Sequence, residues 1–210
     1  MTAREIATPL GPARAHTTGD GTRGTLVLGH GAGGGTDSGD LLAVTAAAAE
    51  DGWRVHRVDQ PWRVAGKRIA PAPARLDVAW TAVLTALRDD DLLTGPLVLG
   101  GRSAGARVAC RTAAEQGAAG VLALAFPLHP PGRPEKSRAD ELTSVRVPLV
   151  VVQGETDAFG GPEEVATALA GHAHASVYGV PGDHALTKNV DVVAAAALSW
   201  LGELLRTAQA

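Results

Sequence analysis

The chain alternates short, uninterrupted apolar runs with alanine-rich stretches in which apolar positions recur every three or four residues. The runs TLVLGH (25–30), WRVHRVD (53–59), PLVLGG (96–101), GVLALAF (120–126), PLVVVQG (148–154) and ASVYGV (175–180) predict strands, most of them buried on both faces. Between them the spacing predicts helices over about 38–50, 76–90, 103–116, 139–143, 162–170 and 187–208, the first capped by Asp37 or Ser38. Residues 3–7 and 12–16, split by Pro9-Leu10-Gly11-Pro12, predict an opening antiparallel pair. Two proline-rich segments break the rhythm: 60–75 reads as a basic loop, and 127–136 as a connection. Alternation of this kind predicts an α/β fold, with a mostly parallel sheet covered by helices on both faces.

A chain of 210 residues suits one domain spanning 1–210, and no internal repeat divides it. Its formal charge of −3 gives no general attraction to nucleic acid or anionic lipid, so neither is expected as a partner. The opening MTAREIATPLGPAR lacks the apolar segment of a secretory signal, and the longest apolar run, Val192 to Leu201, is too short to cross a bilayer. Cys110 is the single cysteine and reads as a small buried helix residue. No His/Cys cluster has metal-ligand spacing, so the expectation is a reducing, cytoplasmic setting with no metal and no cofactor.

In an open parallel sheet, reactive groups gather beyond the carboxyl ends of the strands. GGRSAG (100–105) puts Ser103 there, between Gly101 and Gly105. Six serines and 26 glycines give such a GxSxG pattern by chance about one time in ten, and a serine at a helix start can also be a simple cap. A nucleophilic serine needs a base and an orienting carboxylate. QGETDAFG supplies Asp157 after a later strand, with Glu155 as a rival, and GDHAL supplies His184 after the last one. The order Ser, Asp, His is that of α/β-hydrolases. His129, after the strand ending at Phe126, is the nearest competing base.

LGHGAGGG (28–35) has two readings. Its glycines suit a loop that turns amides toward a developing oxyanion. Gly29, Gly31 and Gly34 also satisfy GxGxxG, with Asp59 at the end of the next strand as a ribose-binding acid, which would make a nicotinamide-dependent enzyme. That reading leaves Ser103, Asp157 and His184 unused.

With these motifs in place the chain resembles the α/β-hydrolase superfamily, and within it the small predicted hydrolases of the dienelactone-hydrolase-like clan. The resemblance rests on GHGAGG (29–34), GGRSAG (100–105), FPLHPPGRPE (126–135), QGETDAFG (153–160) and GDHAL (182–186). It implies an α/β-hydrolase fold with Ser103 as nucleophile, Asp157 as acid, His184 as base, and the amides of Ala32 and Ala104 as the oxyanion hole. The chain departs from dienelactone hydrolases in carrying serine where they use cysteine. Relatives in the group include testis-expressed proteins and a subunit of a histone acetyltransferase complex, so a catalytically silent scaffold is the alternative to a serine esterase or thioesterase acting on a small acyl substrate.

Only about 20 residues join the sixth strand of the family fold to the next, which leaves no room for a lid domain. Trp62, Phe126 and His129 are therefore expected to line an open substrate site. Arg102, beside the nucleophile, is expected either to bind a substrate carboxylate or to brace the elbow by pairing with an acid.

Overall fold

The computed structural model describes residues 2–207. A single eight-stranded sheet runs through it, in the order β1-β2-β4-β3-β5-β6-β7-β8. The strands are β1 (Thr2–Ile6), β2 (Ala13–Thr18), β3 (Gly24–Gly29), β4 (Trp53–Asp59), β5 (Leu97–Arg102), β6 (Gly120–Leu124), β7 (Leu149–Gly154) and β8 (Ala175–Val180). β1 and β2 pair antiparallel, as the sequence predicts, and β2 joins β4 antiparallel; every other pairing is parallel.

Side-chain alternation along the inner strands feeds two cores. Val27, Leu99, Val121 and Val151 point to one, Leu26, Val98, Leu122 and Val150 to the other. The first core is closed by α3 (Pro73–Asp89), α4 (Ala104–Thr112), α5 (Ala139–Thr143) and α6 (Pro162–Ala168), the second by α1 (Gly39–Glu50) and α7 (Val190–Thr207). Each long helix buries one stripe at helical spacing: Leu41, Val44, Thr45 and Ala48 on α1, and Val193, Ala194, Ala197, Trp200, Leu201 and Leu204 on α7.

The differences from the sequence reading have local causes. The segment 60–75 is not all loop: it holds the short α2 (Pro61–Val64) and the first turn of α3. Both helices open on a proline at the first position, where its fixed φ and missing N–H cost nothing. β6 stops at Leu124 rather than 126 because Ala125 takes a φ of 45°. α4 ends at Thr112, and α7 begins at Val190, three residues later than expected; its expected last residue, 208, lies outside the described residues. Between β6 and β7 stand only a 3-10 turn at Pro134–Lys136 and α5, with no lid.

Candidate active site

β5 turns into α4 at a single residue, Ser103, which directly follows the strand's last residue, Arg102. Ser103 has φ 53° and ψ −107°, a region a side-chain-bearing residue enters only under constraint. Its N–H donates to the Leu124 carbonyl at 2.9 Å, which ties the strained residue to β6. A Cβ added at Gly101 or at Gly105 would collide with the same atom, the carbonyl oxygen of Gly29. The glycines therefore exist to let β3 touch the start of α4, backbone on backbone. Ser103 occupies the N-cap position of α4 but makes no capping bond with its side chain.

That hydroxyl is used elsewhere. Ser103 Oγ lies 2.9 Å from His184 Nε2, and His184 Nδ1 lies 2.8 Å from Asp157 Oδ2. An ionised carboxylate only accepts, so Nδ1 carries the proton and donates it to Asp157, leaving the Nε2 lone pair facing Ser103. The two loops that bring acid and base together are stitched to each other. Glu155 N–H donates to the Val180 carbonyl and Thr156 N–H to that of Gly182, both at 2.9 Å. Glu155, the rival acid, is exposed and makes no bond to His184 among the described residues.

Two residues the sequence reading passed over hold this line in place. Gln153, fully buried on β7, donates from Nε2 to Asp157 Oδ2 at 2.8 Å and to the carbonyls of Gly160 and Phe126 at 2.7 and 3.2 Å. Phe159 donates its N–H to Asp157 Oδ1 at 2.8 Å and lays its ring against His184, centroids 4.2 Å apart. The visible signal was a lone polar residue inside the apolar run LVVVQG.

The glycine loop after β3 lies beside the elbow. A Cβ on Gly31 would stand 3.5 Å from Ser103 Cβ. His30, which the sequence reading also left aside, organises this loop. Its Nδ1–H donates to the Gly31 carbonyl at 2.8 Å, and its Nε2 accepts the Gln60 N–H at 3.1 Å. Burial lowers its pKa, so the ring stays neutral and keeps one donor and one acceptor. The Gly31 carbonyl and the Ala32 N–H belong to one peptide plane, so anchoring the first aims the second the opposite way. Ala104 opens α4, where N–H groups have no intrahelical acceptor.

The remaining expected residues divide. Trp62 is 7% exposed, with its ring 5.4 Å from that of His30. His129 sits under the acid loop: its N–H donates to the Phe159 carbonyl at 3.0 Å, and its Nε2 pairs with Glu164 at 3.1 Å. The Pro130 carbonyl on Nδ1, with Glu164 on Nε2, raises its pKa, and both ring nitrogens are engaged here, while the Ser103 hydroxyl is bonded to His184. Phe126 corrects the expectation of a substrate wall. It is fully buried in the core, turned inward by the backbone reversal at Ala125. Arg102 faces Asp40, its Nε 3.4 Å from Oδ2, which is the bracing alternative. Cys110 is buried and its thiol is pushed up to about 12 by desolvation, so it supplies no thiolate.

The dinucleotide reading fails on geometry. α1 begins only at Gly39, well beyond the glycines, and Asp59 is bonded to His16 Nε2 at 2.9 Å and to the Thr36 N–H at 3.4 Å. Among the described residues no group of three His, Cys, Asp or Glu side chains is arranged to hold a metal ion, and no helix is long and apolar enough to cross a membrane.

Residues 22–198 match the family model described as an alpha/beta hydrolase domain. Among curated proteins, no sequence matches this chain. Solved structures similar to it include Est1E from Butyrivibrio proteoclasticus, 16% identical with a TM-score of 0.82 over 98% of this chain and 100% of that one. Another is XC6422 from Xanthomonas campestris, described as a serine hydrolase without lid, 20% identical with a TM-score of 0.76 over 98% and 94%. A third is an alpha-beta serine hydrolase homologue from Coxiella burnetii, 18% identical with a TM-score of 0.75 over 98% and 96%.

Proposed function

This chain belongs to the α/β-hydrolase family, and from that premise we propose that it is a serine hydrolase cleaving an ester or thioester of a small acyl substrate. The observation that carries the reading is the unbroken line of hydrogen bonds from Asp157 through His184 to Ser103 Oγ. Ser103 Oγ attacks the acyl carbonyl carbon while His184 Nε2 takes the hydroxyl proton. Asp157 holds the ring in the required tautomer and stabilises the imidazolium. The Ala32 and Ala104 N–H groups donate to the oxygen that becomes negative. His184 then protonates the departing alkoxide or thiolate. Water, deprotonated by the same nitrogen, releases the acid from Ser103 and restores the enzyme.

The short β6–β7 connection supports an uncovered site, and the similar Xanthomonas and Coxiella proteins, described as a serine hydrolase without lid and a serine hydrolase homologue, favour serine chemistry on this fold. A fluorophosphonate probe tests the reading. It should label the wild type and Cys110→Ala but not Ser103→Ala; a folded wild type that takes no label would leave a silent scaffold instead.

A further inference from the structure

We propose that a second cavity, beside the candidate active site, binds a small organic carboxylate with an apolar body. The cavity measures about 310 Å3 and lies where the turn between β1 and β2, α2, the segment that follows it and α3 meet. That volume is at the lower end of ligand pockets, roughly 300–1,000 Å3.

Its wall is apolar, with Leu10, Trp62 and Ala79, and at its rim Ile69 is 84% exposed, the most uncovered large hydrophobic among the described residues. Lys67 and Arg75 supply the only charges in the lining, and no acid accompanies them. Both are exposed, and neither forms an ion pair among the described residues. An apolar body with one anionic end fits this distribution; a cation or a neutral sugar does not.

Two of the lining residues, Trp62 and Gln60, are nearly buried, 7% and 5% exposed. The same two residues border a small void lined by His30 and Ala104, and the Gln60 N–H is the bond that holds His30 Nε2. An occupant thus touches the supports of the glycine loop.

Isothermal titration calorimetry with 4-phenylbutyrate and its neutral counterpart 4-phenylbutanamide tests the proposal on the full chain. The carboxylate should bind saturably and more tightly than the amide. Lys67→Ala/Arg75→Ala, at two exposed positions, should weaken the carboxylate by about tenfold and leave the amide unchanged. Ala65→Trp, which fills the cavity from an exposed position, should abolish both. No saturable binding, equal binding of acid and amide, or binding that survives Ala65→Trp overturns the proposal. Because binding is read directly, the result is independent of whether Ser103 is a nucleophile.

Discussion

Arg102 Nε stands 3.4 Å from Oδ2 of Asp40, a carboxylate wholly buried in the first turn of α1. Among the described residues neither oxygen of Asp40 has a hydrogen-bond partner, so charge compensates it, helped by the positive end of the helix dipole. The pair clamps the nucleophile elbow to the helix that follows the glycine loop, and Arg102 Nη1 lies 3.2 Å from where a Cβ on Gly31 would stand. Arg102→Met leaves a buried charge uncompensated and should cost about 3–5 kcal/mol in urea unfolding. Arg102→Met/Asp40→Leu should recover most of that loss. A single variant as stable as wild type, with a raised KM only for anionic esters, would instead assign Arg102 to substrate.

His30 acts through the loop and not on substrate. His30→Ala removes the bond to the Gly31 carbonyl that fixes the Gly31–Ala32 peptide, and a displaced oxyanion donor lowers kcat by roughly ten- to hundredfold. KM should change far less, because the ground-state carbonyl depends less on that donor than the oxyanion does. Steady-state kinetics on p-nitrophenyl acetate separates the two; a rise in KM with kcat intact would contradict the role.

Gly105→Ala drives a Cβ into the Gly29 carbonyl, with no flexible side chain to move aside. Overpacking of this kind costs about 1–3 kcal/mol, here with a distorted elbow as well. Thermal unfolding should show the loss. Gly33→Ala is the matched control, since a Cβ there meets nothing within 4 Å.

Stability should depend on pH through Glu141. Burial alone would raise its pKa, but the two-pronged bond from Arg107, at 2.7 and 2.6 Å, and the nearby Arg111 outweigh it and hold the group below its ordinary 4.5. The folded state therefore binds fewer protons than the unfolded one in this range. Its contribution is present in full above about pH 4.5 and is lost as pH falls through the lower folded value. Urea unfolding of wild type and Glu141→Gln should differ most near neutrality and converge in acid; a gap that widens in acid would refute the sign.

Strands were legible because a parallel sheet buried on both faces must read as continuous apolar runs, and Ser103, Asp157 and His184 were legible because each follows such a run. What stayed hidden was not periodic. α2 is four residues long, too short for a helical stripe. Pro73 reads as a breaker although it starts α3. Phe126 prolongs an apolar run past the reversal at Ala125, which no glycine marks, so the pattern places it on the substrate wall although it belongs to the core. Gln153 and His30 act by positioning other groups, and their partners, a carboxylate four residues on and a carbonyl next door, become visible only once the loops are folded.

The most direct measurement of the central claim is kcat/KM of Ser103→Ala against wild type on p-nitrophenyl acetate, with both proteins shown to be folded by circular dichroism. A loss of at least ~10⁴ is predicted, the order expected when the nucleophile of a working triad is removed. A loss below about tenfold would contradict the assignment of Ser103 as nucleophile.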